Sequence, residues 1–119
     1  MTSERERATQ PEDLARLVVE RVKAGDADGL AALYEPDAVL GYPADQPTVG
    51  REAIRAVYEK IIAAGAPFKL EKALPTLYFG DIALTATRPA DGAGARSQVV
   101  RRQPDGTWLR IIDRPEAGG

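Results

Sequence analysis

The sequence predicts an α+β fold, with helices in its first half and a run of strands in its second. Two observations carry the prediction. Between Pro11 and Gly65 apolar residues recur at three- and four-residue spacing, and from Pro67 onward they alternate, so the period moves from the helical value towards two. The later segments are also divided by turn signals, Gly80-Asp81, Ala90–Gly94 and Gln103-Pro104-Asp105-Gly106, with no helical stretch between them. Strands that follow one another through short turns pair antiparallel.

In order, residues 1–9 are polar and charged without periodicity and are expected to be a disordered lead-in. A first helix follows to about Ala24, with Leu14, Leu17, Val18 and Val22 on one stripe, and with Pro11, Glu12 and Asp13 suited to its first turn. Gly25 and Asp26 end that helix and cap a short second one, whose buried face is expected to carry Leu30, Leu33 and Tyr34. Glu35-Pro36-Asp37 stops it. Ala38-Val39-Leu40 is a short apolar strand, Gly41-Tyr42-Pro43 breaks it, and a polar loop, Ala44–Thr48, leads to a third helix from Gly50 to about Ala64. Ile54, Val57, Tyr58, Ile61 and Ile62 form its apolar stripe and Gly65 ends it. Strands are then expected at Phe68–Lys72, with Pro75 marking an edge or bulge, at Ile82–Thr87, at Ala95–Arg102 and at Thr107–Arg114. The expected organisation is one domain, residues 10–115, with a short tail at 116–119.

The last hairpin fixes a register. If Gln103–Gly106 form a four-residue loop with Arg102 opposite Thr107, then Val100 faces Leu109, Gln98 faces Ile111 and Arg96 faces Asp113, all on one sheet face. The other face then carries Val99, Arg101, Trp108, Arg110 and Ile112. Trp and Ile among arginines make it amphipathic in the manner of partner-binding surfaces.

Composition narrows the chemistry. A 119-residue chain that is 44% hydrophobic supports one core and no second domain. With 16 Lys+Arg against 18 Asp+Glu, and the basic residues scattered, neither a nucleic-acid nor a membrane partner is indicated. The absence of cysteine excludes thiolate metal sites and disulfides. The absence of histidine removes the commonest general base and zinc ligand. Scattered carboxylates offer no metal-binding spacing, so neither metal nor cofactor is expected. The first residues lack an apolar run, and a cytoplasmic protein is the default expectation.

Four motifs, AGDADGLAALYEPDAVL, then YP, then GREAIRAVY, and the hairpin RRQPDGTWLRIIDRP, resemble the nuclear transport factor 2-like superfamily. That superfamily holds the SnoaL-like polyketide cyclases and the ketosteroid isomerases. The resemblance implies a curved antiparallel sheet wrapped around three N-terminal helices, a cone-shaped pocket, and a homodimer through the outer sheet face, here Val99, Trp108 and Ile112. It also allows single positions to be compared. The isomerase base precedes the proline after the first strand, where this chain has Tyr42; the oxyanion tyrosine aligns with Val18, and the protonated aspartate with Gln98. All three differ, so steroid isomerisation is not expected, although Tyr58 matches the supporting tyrosine.

The pocket implied is lined by Val18, Tyr58, Arg96, Gln98, Val100, Leu109 and Ile111. Asp113, at the end of an apolar strand, and Tyr42 are the candidate catalytic groups. A phenol with pKa near 10 makes Tyr42 a donor rather than a base. Asp113 has two readings: a general acid or base, as late-strand carboxylates are in SnoaL-like enzymes, or a structural ion pair with Arg96 or Arg114. The functional expectation is a domain that binds a small apolar, oxygenated molecule. The alternatives are a cofactor-independent cyclase, isomerase or hydrolase using Asp113, and a non-catalytic homodimerisation module.

Overall fold

A computed structural model describes residues 5–65, 67–90 and 94–115. Three helices, α1 (Asp13–Lys23), α2 (Ala27–Ala31) and α3 (Arg51–Ala64), pack on a seven-stranded sheet. Its strands are β1 (Tyr34–Leu40), β2 (Thr48–Val49), β3 (Lys72–Ala73), β4 (Leu77–Phe79), β5 (Ile82–Arg88), β6 (Arg96–Arg102) and β7 (Trp108–Arg114). They run β2-β1-β7-β6-β5-β3, with β4 also pairing β5. The α+β class is as expected, and the sheet is curved and unclosed. One pairing departs from antiparallel: β1 lies parallel to β7, the first long strand beside the last.

Both long helices bury the stripe their spacing dictates. α1 buries Leu14, Leu17, Val18, Arg21 and Val22, and α3 buries Ile54 and Tyr58 with Val57, Ile61 and Ile62 packed against the core. Each fully buried Leu or Ile contributes about 1.5–3 kcal/mol. The capped first turn of α2 depends on glycine. The Asp26 carboxylate caps α2 by accepting from the Gly29 amide at 3.0 Å, and a Cβ on Gly29 would sit 2.2 Å from that carboxylate.

Three local expectations are corrected. Tyr34 does not end the second helix; it opens β1, which runs through Glu35-Pro36-Asp37 with a register irregularity between Tyr34 and Val39. The Phe68–Lys72 strand is replaced by two short ones on either side of Pro75, which cannot donate to a ladder. Of the lead-in, residues 1–4 lie outside the described residues, but residues 5–9 are tied to the domain: Ala8 is buried, its carbonyl accepts from the Trp108 amide at 2.9 Å, and the exposed Arg7 pairs with Asp105 at 2.8 Å. The tail at 116–119 is also outside the described residues.

The largest correction concerns the β6–β7 register. The loop is three residues, Pro104-Asp105-Gly106, with Gly106 at φ 86°, so Arg102 pairs with Trp108 rather than with Thr107. Farther along, Ile111 is left without a cross-strand partner: Val100 pairs with Arg110, and Val99 with Ile112. Each irregularity adds one residue to β7, and each one-residue step reverses the faces. Trp108 and Arg110 therefore point inward and are buried, whereas Leu109 lies beside the exposed Arg101 on the outer face. The second step restores the expected side for Asp113, which is inward and opposite Gln98.

The outer face has its own pattern. Successive cross-strand partners line up as Val49, Val39, Ile112, Val99, Leu84 and Leu77, an apolar row across six strands. Val49, Ile112, Leu84 and Leu77 are all exposed, as is Phe79 beside the row.

Candidate functional site

A cavity of about 310 Å³ opens between α1, α3 and the inner face of β5–β7. Its apolar wall comes from Ala15 and Val18 on α1 and from Phe68 and Leu70, and its polar wall from Thr87, Arg96, Gln98, Arg110 and Asp113. The apolar side follows from the period-3.6 stripe of α1, the polar side from the inward parity of β5, β6 and β7.

The floor is a buried hydrogen-bond network centred on Asp113, which is 2% exposed. One carboxylate oxygen accepts from the Tyr34 hydroxyl at 2.6 Å and from Arg110 at 3.1 Å, and the other accepts from the Gln98 amide at 3.3 Å. Tyr34 and Tyr58 hydroxyls lie 2.7 Å apart. Since Tyr34 spends its proton on Asp113, Tyr58 is the donor between them. Thr85 in turn donates to the Gln98 oxygen at 2.9 Å. The chain Tyr58, Tyr34, Asp113 is thus directional, and the carboxylate at its end holds three donors.

Electrostatics agree with the geometry. Burial pushes Tyr58 up to about 12, aided by the Asp113 charge, and the same causes raise Tyr34 well above the ordinary phenol value. Burial disfavours the Arg110 charge, but Asp113, Tyr34 and Tyr58 more than offset it, so its pKa lies above the ordinary value. All three groups hold their protons at neutral pH. The Asp113 carboxylate accepts from a guanidinium, a phenol and an amide, and these bonds fix its orientation.

Of the residues expected at the pocket, Val18, Tyr58, Arg96, Gln98 and Asp113 line the cavity. Val100 does not; it is fully buried between Ala83 and Arg110. Leu109 and Ile111 are removed from the inner face by the two register steps. Tyr42 is 40% exposed in the loop after β1, away from the cavity, with its carbonyl accepting from Thr48. The expected partners of Asp113 are also replaced. Arg96 bonds Glu71 at 2.8 Å and the Pro115 carbonyl, and Arg110 holds the aspartate instead.

Two participants escaped the sequence reading. Tyr34 was placed on a helix, and Arg110 on the outer face. The signal that finds Arg110 is its position three residues before Asp113, which becomes the same side only when one residue bulges out. Among the described residues, no group of His, Cys, Asp and Glu could hold a metal ion, and no helix is long and apolar enough to cross a membrane.

Comparison with known proteins places this geometry. Over 97% of its length the chain resembles all of a putative calcium/calmodulin-dependent protein kinase type II association domain from Thiobacillus denitrificans, at 20% identity and TM-score 0.74. A ketosteroid isomerase-like protein from Erwinia carotovora atroseptica matches at 19% identity and TM-score 0.62, covering 86% of this chain and 88% of that one. A putative dehydratase of the nuclear transport factor 2-like family from Streptomyces avermitilis matches at 18% and 0.63, covering 87% and 90%. At such identities the likeness is one of fold alone. No curated protein matches. The SnoaL-like domain model matches residues 15–111, from α1 to the bulge of β7, and the chain belongs to the SnoaL-like domain family.

Proposed function

We propose that this SnoaL-like domain binds a small apolar, oxygenated molecule in the cavity above Asp113. The single observation that carries the reading is the division of the cavity wall. Apolar groups from α1 and the segment after α3 face a polar sheet on which Gln98, Thr87 and Arg96 can address ligand oxygens. A volume of about 310 Å³ is at the lower end of ligand pockets, which run from roughly 300 to 1,000 Å³. Asp113 acts in this reading as the fixed acceptor that orients Arg110, Gln98 and the two tyrosines, rather than as the base of a cyclase or isomerase.

The test is titration with a hydroxylated naphthoquinone, followed through backbone amide shifts. Saturable shifts at Val18, Phe68 and Gln98, abolished by Ala15→Trp, which fills the cavity from α1, are expected. Shifts confined to other surfaces, or unchanged in Ala15→Trp, would overturn the reading.

The outer face supports a second element, a homodimer. The exposed row through Ile112, Leu84 and Leu77, with Phe79 beside it, is more contiguous than the scattered apolar residues normal on a monomer surface. In this reading Val99 and Ile112 belong to the interface, and Trp108 does not, since its side chain is in the core.

A further inference from the structure

A second, larger cleft of about 680 Å³ lies between residues 5–8, the end of α2 and the β6–β7 loop. Its lining carries four arginines, Arg5, Arg7, Arg21 and Arg51, against two carboxylates, Glu6 and Asp105. Pairing makes the imbalance sharper. Arg5 holds Asp26 through two bonds, Arg7 holds Asp105, and both oxygens of Glu6 are taken by Arg16. Arg21 and Arg51 meet no carboxylate among the described residues. Arg21 donates to the carbonyls of Gly29 and Glu6, and Arg51 to the carbonyl of Tyr34.

A guanidinium satisfied only by neutral carbonyls keeps its full charge, and burial makes that charge costly. Arg21 is 8% exposed, and burial pulls its pKa down. An anion in the cleft would offset this cost at both arginines, whose planar donor forks suit carboxylate and phosphate oxygens. Beside the polar Gln103 and Thr107, the rest of the lining is apolar and includes Leu33, Ala32, Pro104 and Trp108. We infer that this cleft binds a small organic anion, its charged end on Arg21 and Arg51 and its apolar body against Trp108 and Leu33. The site is distinct from the Asp113 cavity, with which it shares no lining residue.

Trp108 is the sole tryptophan and reports on the cleft directly. Its fluorescence is followed while the protein is titrated with phenyl phosphate, with benzoate and with neutral benzyl alcohol. Saturable change with one or both anions and not with the alcohol is expected, and the tighter anion names the ligand class. Arg51→Gln is expected to weaken binding by about tenfold or more, as loss of a charge-assisted contact does, and Arg96→Gln, in the Asp113 cavity, to leave it unchanged. Should Arg51→Gln fail to fold, Arg51→Lys and the salt dependence decide, with retained binding in Arg51→Lys and affinity falling as sodium chloride rises. The inference is overturned if neither anion gives a saturable response or if the alcohol matches them. Wild-type affinity in folded Arg51→Gln, or an affinity that ignores salt, overturns it equally.

Discussion

The two faces of the β6–β7 hairpin differ in kind, although they come from the same fourteen or so residues. Inward, Trp108, Arg110, Asp113, Gln98 and Val100 are all buried, and the polar ones among them are tied to one another and to Tyr34. Outward, Ile112 and Val99 sit in an apolar row that lacks polar partners and is half open to solvent. The comparison separates two properties that a single strand pair is often assumed to share. Changes on the inner face should register as lost stability and altered pocket chemistry; changes on the outer face should register as altered association.

The largest expected effect is on the inner face. Arg110→Met leaves Asp113 buried beside hydroxyl and amide donors with no counter-charge, and breaking a buried pair in this way costs about 3–5 kcal/mol. A chemical-denaturation curve measures it. Trp108→Ala is expected to cost about 3 kcal/mol or more through the cavity it leaves, without changing the oligomeric state of the folded fraction on a sizing column. Dissociation without loss of stability would return Trp108 to the outer face.

Alkaline pH probes the same face more gently. Tyr58 and Tyr34 have folded pKa values raised above the unfolded value of about 10, so between these values the folded state binds more protons than the unfolded one. Stability from these groups is therefore complete below pH 10 and is lost as pH rises towards about 12, the value for Tyr58. Denaturation curves taken across that range should show the loss, and Tyr58→Phe should reduce it.

On the outer face, Ile112→Asp is expected to change stability by no more than about 1 kcal/mol while shifting a dimer to monomer in light scattering. A large loss of stability would mean that the row is not the free surface its exposure indicates. The smallest effect belongs to Arg96→Gln. Its partner is Glu71, both side chains are partly exposed, and such pairs contribute about 0–1 kcal/mol. A loss comparable to that of Arg110→Met would show that Arg96 supports the buried network as strongly as Arg110 does.

The helical half was legible because a 3.6-residue period identifies a buried face from one segment alone: Leu14, Leu17, Val18 and Val22 are buried, and Ile54 and Tyr58 with them. Strand existence was equally legible in the alternation of β5 and β6. Facing was not, because it depends on counting residues through a turn, and parity turns over with each residue miscounted. Gly106 with positive φ shortened the loop by one residue, and Ile111 added another step. The two steps together returned Asp113 to the inner face while exchanging Leu109 for Trp108 and Arg110. Tyr34 was obscured for a different reason. Pro36 reads as a helix stop, yet it falls within β1 beside an irregular register, where its missing N–H is tolerated.

The most direct test is a double-mutant cycle on the buried pair, with Arg110→Met, Asp113→Leu and both together, read as unfolding free energies. If Asp113 is the fixed acceptor that organises the pocket floor, each single change leaves an unmatched buried charge, and the double variant should recover about 1–3 kcal/mol relative to the sum of the two. Additive losses would contradict that role, leaving Asp113 energetically independent of the arginine 3.1 Å away.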